Sequence, residues 1–97
     1  MNVALCKVHF RLPSNGTLKG KRQMCQSISG RVRQRFNVSI AEIDNNDRHH
    51  LLTLGISCTS NNSRHANEIM SNVVDYIHGL RCDAELLDYE LELIAGL

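Results

Sequence analysis

From Val3 to Leu12, apolar and polar residues alternate. Ala4, Cys6, Val8, Phe10 and Leu12 share one face; Lys7, His9 and Arg11 share the other. A period of two marks a strand with one face buried. Pro13 cannot donate to a ladder and ends it, and Ser14-Asn15-Gly16 is turn chemistry.

At Thr17, a favoured helix N-cap, the period lengthens. Leu18, Met24, Cys25, Ile28, Val32 and Phe36 fall on one helical stripe. Gly20 and Gly30 lie off that stripe, and each weakens the helix by up to about 1 kcal/mol relative to alanine. Asn37 closes the helix. Val38 to Ile43 reads as a strand, Asp44-Asn45-Asn46-Asp47 as a turn, and Leu51 to Thr59 as a strand with Leu52, Leu54, Ile56 and Cys58 inward. Ser60-Asn61-Asn62-Ser63 supplies caps. Ala66, Ile69, Met70, Val73, Val74 and Ile77 then give the clearest helical spacing, closed by Gly79 as a glycine C-cap. Residues 84–94 form the last strand, where Leu87, Tyr89, Leu91 and Leu93 alternate with Asp88, Glu90 and Glu92.

The order βαββαβ predicts an α+β, ferredoxin-like fold. Right-handed crossovers give a four-stranded antiparallel sheet with two helices on one face. The first and last strands become neighbours, which sets Lys7, His9 and Arg11 against Asp88, Glu90 and Glu92 on the open face. The 97 residues suit one domain, 1–97.

Four aromatic residues, Phe10, Phe36, Tyr76 and Tyr89, leave the core aliphatic. No apolar run reaches the roughly 20 residues that span a bilayer, and no signal-peptide pattern opens the chain. A cytoplasmic protein that does not enter a membrane is expected. Cys6, Cys25, Cys58 and Cys82 form no C-x-x-C pair and are expected as reduced thiols rather than zinc ligands.

Charge changes the picture more than composition does. Residues 1–41 carry eight Lys or Arg and no acid, a net +8; residues 42–97 carry three Arg against ten acids, a net −7. The predicted first helix holds Lys19, Lys21, Arg22, Arg31, Arg33 and Arg35. Lys19, Arg22 and Arg33 share one flank of the helical wheel; Lys21, Arg31 and Arg35 share the other. The helix start adds free backbone amides at Asn15, Gly16 and Thr17. Together they form a candidate anion or RNA site that reads phosphates and shape. The open strand faces carry no Phe or Tyr for base stacking, unlike an RNA-recognition motif.

Thr17-Leu18-Lys19-Gly20-Lys21-Arg22, the run from Arg35 to Asp44 and Leu54-Gly55 resemble the YlxP-like family of small bacterial proteins of unknown function. The likeness runs more loosely from Val3 to about Leu93. It implies the ferredoxin-like fold, in a family not known for enzymatic activity and with no agreed cofactor. The family's genes often stand near those of translation and ribosome-maturation factors, an association rather than a mechanism; RNA or the ribosome is an expected partner through the basic helix. Two departures stand out. Gly20 replaces the usual Glu of a capping box, and Asn46-Asp47-Arg48-His49 replaces Gln-Asp-x-Trp.

Catalysis finds little footing. No Ser, His and Asp spacing assembles a nucleophile and base. The loop after the first strand lacks the arginine that an acylphosphatase needs. Asp44, Asp47, His49 and His50 are close in sequence, but adjacent residues diverge, so a metal site is not expected. The expectation is a non-enzymatic binding module. The alternative is a homodimeric protein-interaction adaptor using the open sheet face and the free strand edges.

Overall fold

Alternation becomes structure first in β1 (Asn2–Arg11), which buries Ala4, Cys6, Val8 and Phe10. The computed structural model describes residues 1–97. After β1 come α1 (Leu18–Arg35), β2 (Ser39–Asp44), β3 (Leu51–Ser60), α2 (Ser63–His78) and β4 (Glu85–Ile94). The sheet order is β2-β3-β1-β4, and every pairing is antiparallel. This is the ferredoxin-like plan. Strands of ten residues draw the molecule out to 43 × 23 × 19 Å.

Local chemistry sets the helix ends. Thr17 caps α1 by accepting a hydrogen bond from the Gly20 N–H at 2.9 Å. Phe36, one residue before Asn37, is the C-cap. Asn62 caps α2, its Oδ1 accepting from the N–H groups of Arg64 and His65. Gly79 closes α2 at φ −89°, so it ends the helix without entering the left-handed region.

The core lies between the helices and the sheet. Leu12, Ile28, Leu52, Leu54, Ile56, Met70 and Val73 are sealed from solvent. Burying such side chains contributes about 1.5–3 kcal/mol each. The four cysteines are free thiols, with Cys6 and Cys58 buried. No helix is long and apolar enough to cross a membrane.

Two places depart from simple alternation. In α1, Leu18 is exposed, while Lys21 and Ser29 are buried beside Ile28 and Val32. In β4, Tyr89, Leu91 and Leu93 stand opposite Val8, Cys6 and Ala4, so they share the helix side of the sheet. The helix layer does not cover them, and with Leu87 they remain 41–51 % exposed. Leu87 is the extra residue at a bulge between His9 and Phe10; beyond it Leu86 faces Phe10 and joins the core margin.

On the open face, Lys7 lies opposite Glu90 and His9 opposite Asp88, as the topology predicts. The bulge moves Arg11 to Glu85 and leaves Glu92 opposite Leu5. His9 Nε2 lies 3.0 Å from Glu90 and Arg11 Nη2 2.7 Å from Glu85. Exposed pairs of this kind are worth about 0–1 kcal/mol.

Candidate functional site

Helix α1 is the most basic element, with six cations and no acid in its eighteen residues. The structure does not treat the six alike.

Lys21 leaves the candidate surface. Its side chain is buried, with Nζ 2.7 Å from Glu42 Oε2. Nζ also donates to the Asn45 carbonyl oxygen at 2.7 Å. Glu42 Oε2 receives no aligned hydrogen bond, so its attraction to Lys21 is ionic. The sequence carried a signal for this burial. Lys21, Cys25, Ile28 and Val32 stand at i, i+4, i+7 and i+11, the inward stripe of a helix. With no acid on α1, the counter-charge had to come from another element, and β2 supplies it.

The other five cations are exposed, and none meets a carboxylate. Lys19 and Arg22 are free of protein partners. Arg33 donates from Nη2 to the Ile40 carbonyl oxygen at 2.8 Å, reaching the outer edge of β2. Arg35 places its guanidinium 4.7 Å from the Tyr76 ring centroid, and Tyr76 meets Phe36 edge-on. Arg31 makes a long contact of 3.5 Å with the Arg81 carbonyl oxygen. Thus Arg33 reaches toward β2 and Arg31 and Arg35 toward α2 and the loop after it, while Lys19 and Arg22 project from α1 without a contact.

The turn before α1 is closed by its own residues. Asn15 Nδ2 donates to the Thr17 carbonyl oxygen at 2.8 Å and to that of His49. His49 Nδ1 lies 3.1 Å from the Asn15 carbonyl oxygen, and Leu12 N–H donates to His50. The Asn15 side-chain amide is therefore occupied, the Thr17 hydroxyl oxygen already accepts from Gly20, and Asp83 lines the small depression beside them. These features argue against a phosphate cradle at Asn15 and Thr17. A Cβ on residue 20 would come within 2.1 Å of Asn15 Oδ1. Asn15 thus occupies the space that a side chain at residue 20 would need, and Gly20 makes room for it.

Elsewhere little chemistry assembles. The rings of His49 and His50 meet edge-on at 5.3 Å, but no three His, Cys, Asp or Glu side chains converge as metal ligands. Burial, then the charge of Glu90, pushes the Cys6 thiol up to about 11. Burial also raises Cys25 and Cys58. Such thiols are poor nucleophiles near neutral pH. A shallow depression of about 340 Å³ on the open face, over Gly55 and edged by Leu5, Lys7, Ala41 and Ile43, is mostly apolar and holds no acid–base pair.

No curated protein matches the chain. A family model does, over residues 3–91, and its description is that of a protein of unknown function, DUF503. On that match, which spans nearly the whole domain, the chain belongs to the DUF503 family.

Proposed function

We propose that this protein is a non-enzymatic binding module for polyanions, structured or ribosomal RNA above all, acting through the outer surface of α1. One observation carries the reading: Lys19, Arg22, Arg31, Arg33 and Arg35 are exposed and none is neutralised by a carboxylate. From Lys19 to Arg35 the helix rises about 24 Å. That length suits several phosphates along a backbone. The YlxP-like resemblance, with its ribosomal setting, points the same way.

Phosphate contacts of this kind give affinity without base specificity. Titration of a fluorescent structured RNA should show micromolar binding that weakens about 30-fold or more between 50 and 200 mM salt. The double variant Lys19→Glu, Arg22→Glu should bind at least tenfold more weakly with an unchanged circular dichroism spectrum. Undetectable binding at micromolar protein, or binding indifferent to salt, overturns the reading. Lys21 is unsuitable for this test because its charge is held inside the fold.

The open sheet face is less suited to an adaptor role. His9 and Arg11 already hold Glu90 and Glu85 within it. The uncovered apolar residues of β4 lie on the other side of the sheet.

A further inference from the structure

We infer that β4 is a docking edge for an extended segment of another protein, one whose residues alternate between apolar and basic. Strand β4 ends the sheet, with β1 as its only neighbour. The Tyr89 N–H donates to Oδ1 of its own neighbour Asp88 at 2.8 Å, which marks that peptide as facing the free edge. Alternation along an antiparallel strand turns the peptide groups of Leu91 and Leu93 outward as well. Those same residues expose apolar side chains on the helix side. At Leu91 and Leu93 the edge therefore offers ladder partners and apolar surface together, while Asp88 must release the Tyr89 N–H, a combination that invites strand addition.

Charge selects the occupant. On the opposite side of β4 stand Asp88, Glu90 and Glu92. Glu90 is engaged by His9, whereas Asp88 and Glu92 have no cationic partner. In antiparallel pairing, residues directly opposite share a face, so β4 laid on a second β4 always sets acid against acid. Like charges directly opposite are destabilising. A strand with Lys or Arg on that face meets opposite charge instead and still places apolar residues over Tyr89, Leu91 and Leu93. This is the pattern by which β1 already pairs with the inner side of β4.

The probe is a short acetylated peptide of alternating valine and lysine, titrated into the full chain while backbone amide NMR signals are followed. Shifts confined to β4 are expected, with slowed hydrogen exchange at the Tyr89, Leu91 and Leu93 amides. Leu91→Arg changes an exposed position and should weaken binding at least tenfold without altering the fold. Asp88→Asn with Glu92→Gln should weaken it about fivefold. A peptide of the same composition with the lysines in one block should bind poorly. Failure of the alternating peptide to bind, or equal binding of the block peptide, overturns the proposal. So does sedimentation showing a dimer of the chain alone that Leu91→Arg dissolves, since a second copy would then be the occupant. Arg22→Glu should leave peptide binding unchanged, which separates this edge from the RNA surface.

Discussion

Nζ of Lys21 sits 2.7 Å from Glu42 Oε2 and donates at 2.7 Å to the Asn45 carbonyl oxygen. One ammonium thereby ties α1 to β2 and to the loop that follows. Asn45 holds φ +58°, and its side chain donates to Thr53 Oγ1 on the opposite side of the sheet. Thr53 also meets His9, which reaches Glu90. A chain of polar contacts thus runs from the first helix to the last strand through the loop at Asn45.

Removing one partner of the buried pair should cost more than removing both. Lys21→Ala leaves Glu42, 22 % exposed at its side chain, without its cation. Urea denaturation should show a loss of about 2–4 kcal/mol for Lys21→Ala. The double variant Lys21→Met, Glu42→Met should recover at least half of that loss.

Gly20 and Asn15 should behave as a coupled pair. With Asn15 in place, Gly20→Ala gains helix propensity but displaces the Asn15 amide, because the new Cβ would lie 2.1 Å from its oxygen. Thermal unfolding should show little gain or a loss. In an Asn15→Ala background, the same change should stabilise by about 0.5–1 kcal/mol.

The cysteines should report burial through pH. Cys6 is raised from 9.0 to about 11, so its neutral thiol is favoured in the folded chain. The unfolded thiol ionises first as pH climbs, so this contribution to stability is intact below about pH 9. It should fall by about 2 kcal/mol as pH rises to 11. At neutral pH, iodoacetamide followed by mass mapping should modify half-buried Cys82 well before Cys6 or Cys58.

Arg33 should matter to the sheet as well as to anions. Its hydrogen bond to the Ile40 carbonyl oxygen closes part of the β2 edge. Arg33→Ala should destabilise the domain by about 1 kcal/mol in urea. It should also speed hydrogen exchange in β2 relative to β1.

Much of the fold was legible because period and burial agree in β1, β3 and α2. Ala4 to Phe10, Leu52 to Cys58 and Ala66 to Ile77 lie inside, where their spacing puts them. The site was less legible. Residue type argued that Lys21 belongs on the surface, whereas its spacing with Cys25, Ile28 and Val32 argued for the interior, and spacing prevailed because Glu42 was there to receive it. In β4, the alternation of Leu and Tyr with acids gives the faces correctly but cannot tell that the helix layer stops short. How far two helices reach across four strands is a property of packing, not of period. The bulge at Leu87, which shifts Arg11 to Glu85, likewise has no mark in the local residues.

The two borders of the sheet are unequal. Along β2, the Arg33 guanidinium covers a carbonyl and Ile43 interrupts the register as an extra residue. Along β4, the bulge at Leu87 is the one break in register, and from Asp88 to Ile94 no strand or guanidinium covers the outer edge. The β4 border is therefore the freer of the two for an added strand. A strand laid on β4 would itself become the new border of the sheet, so its own outer edge decides whether the assembly stops at one partner.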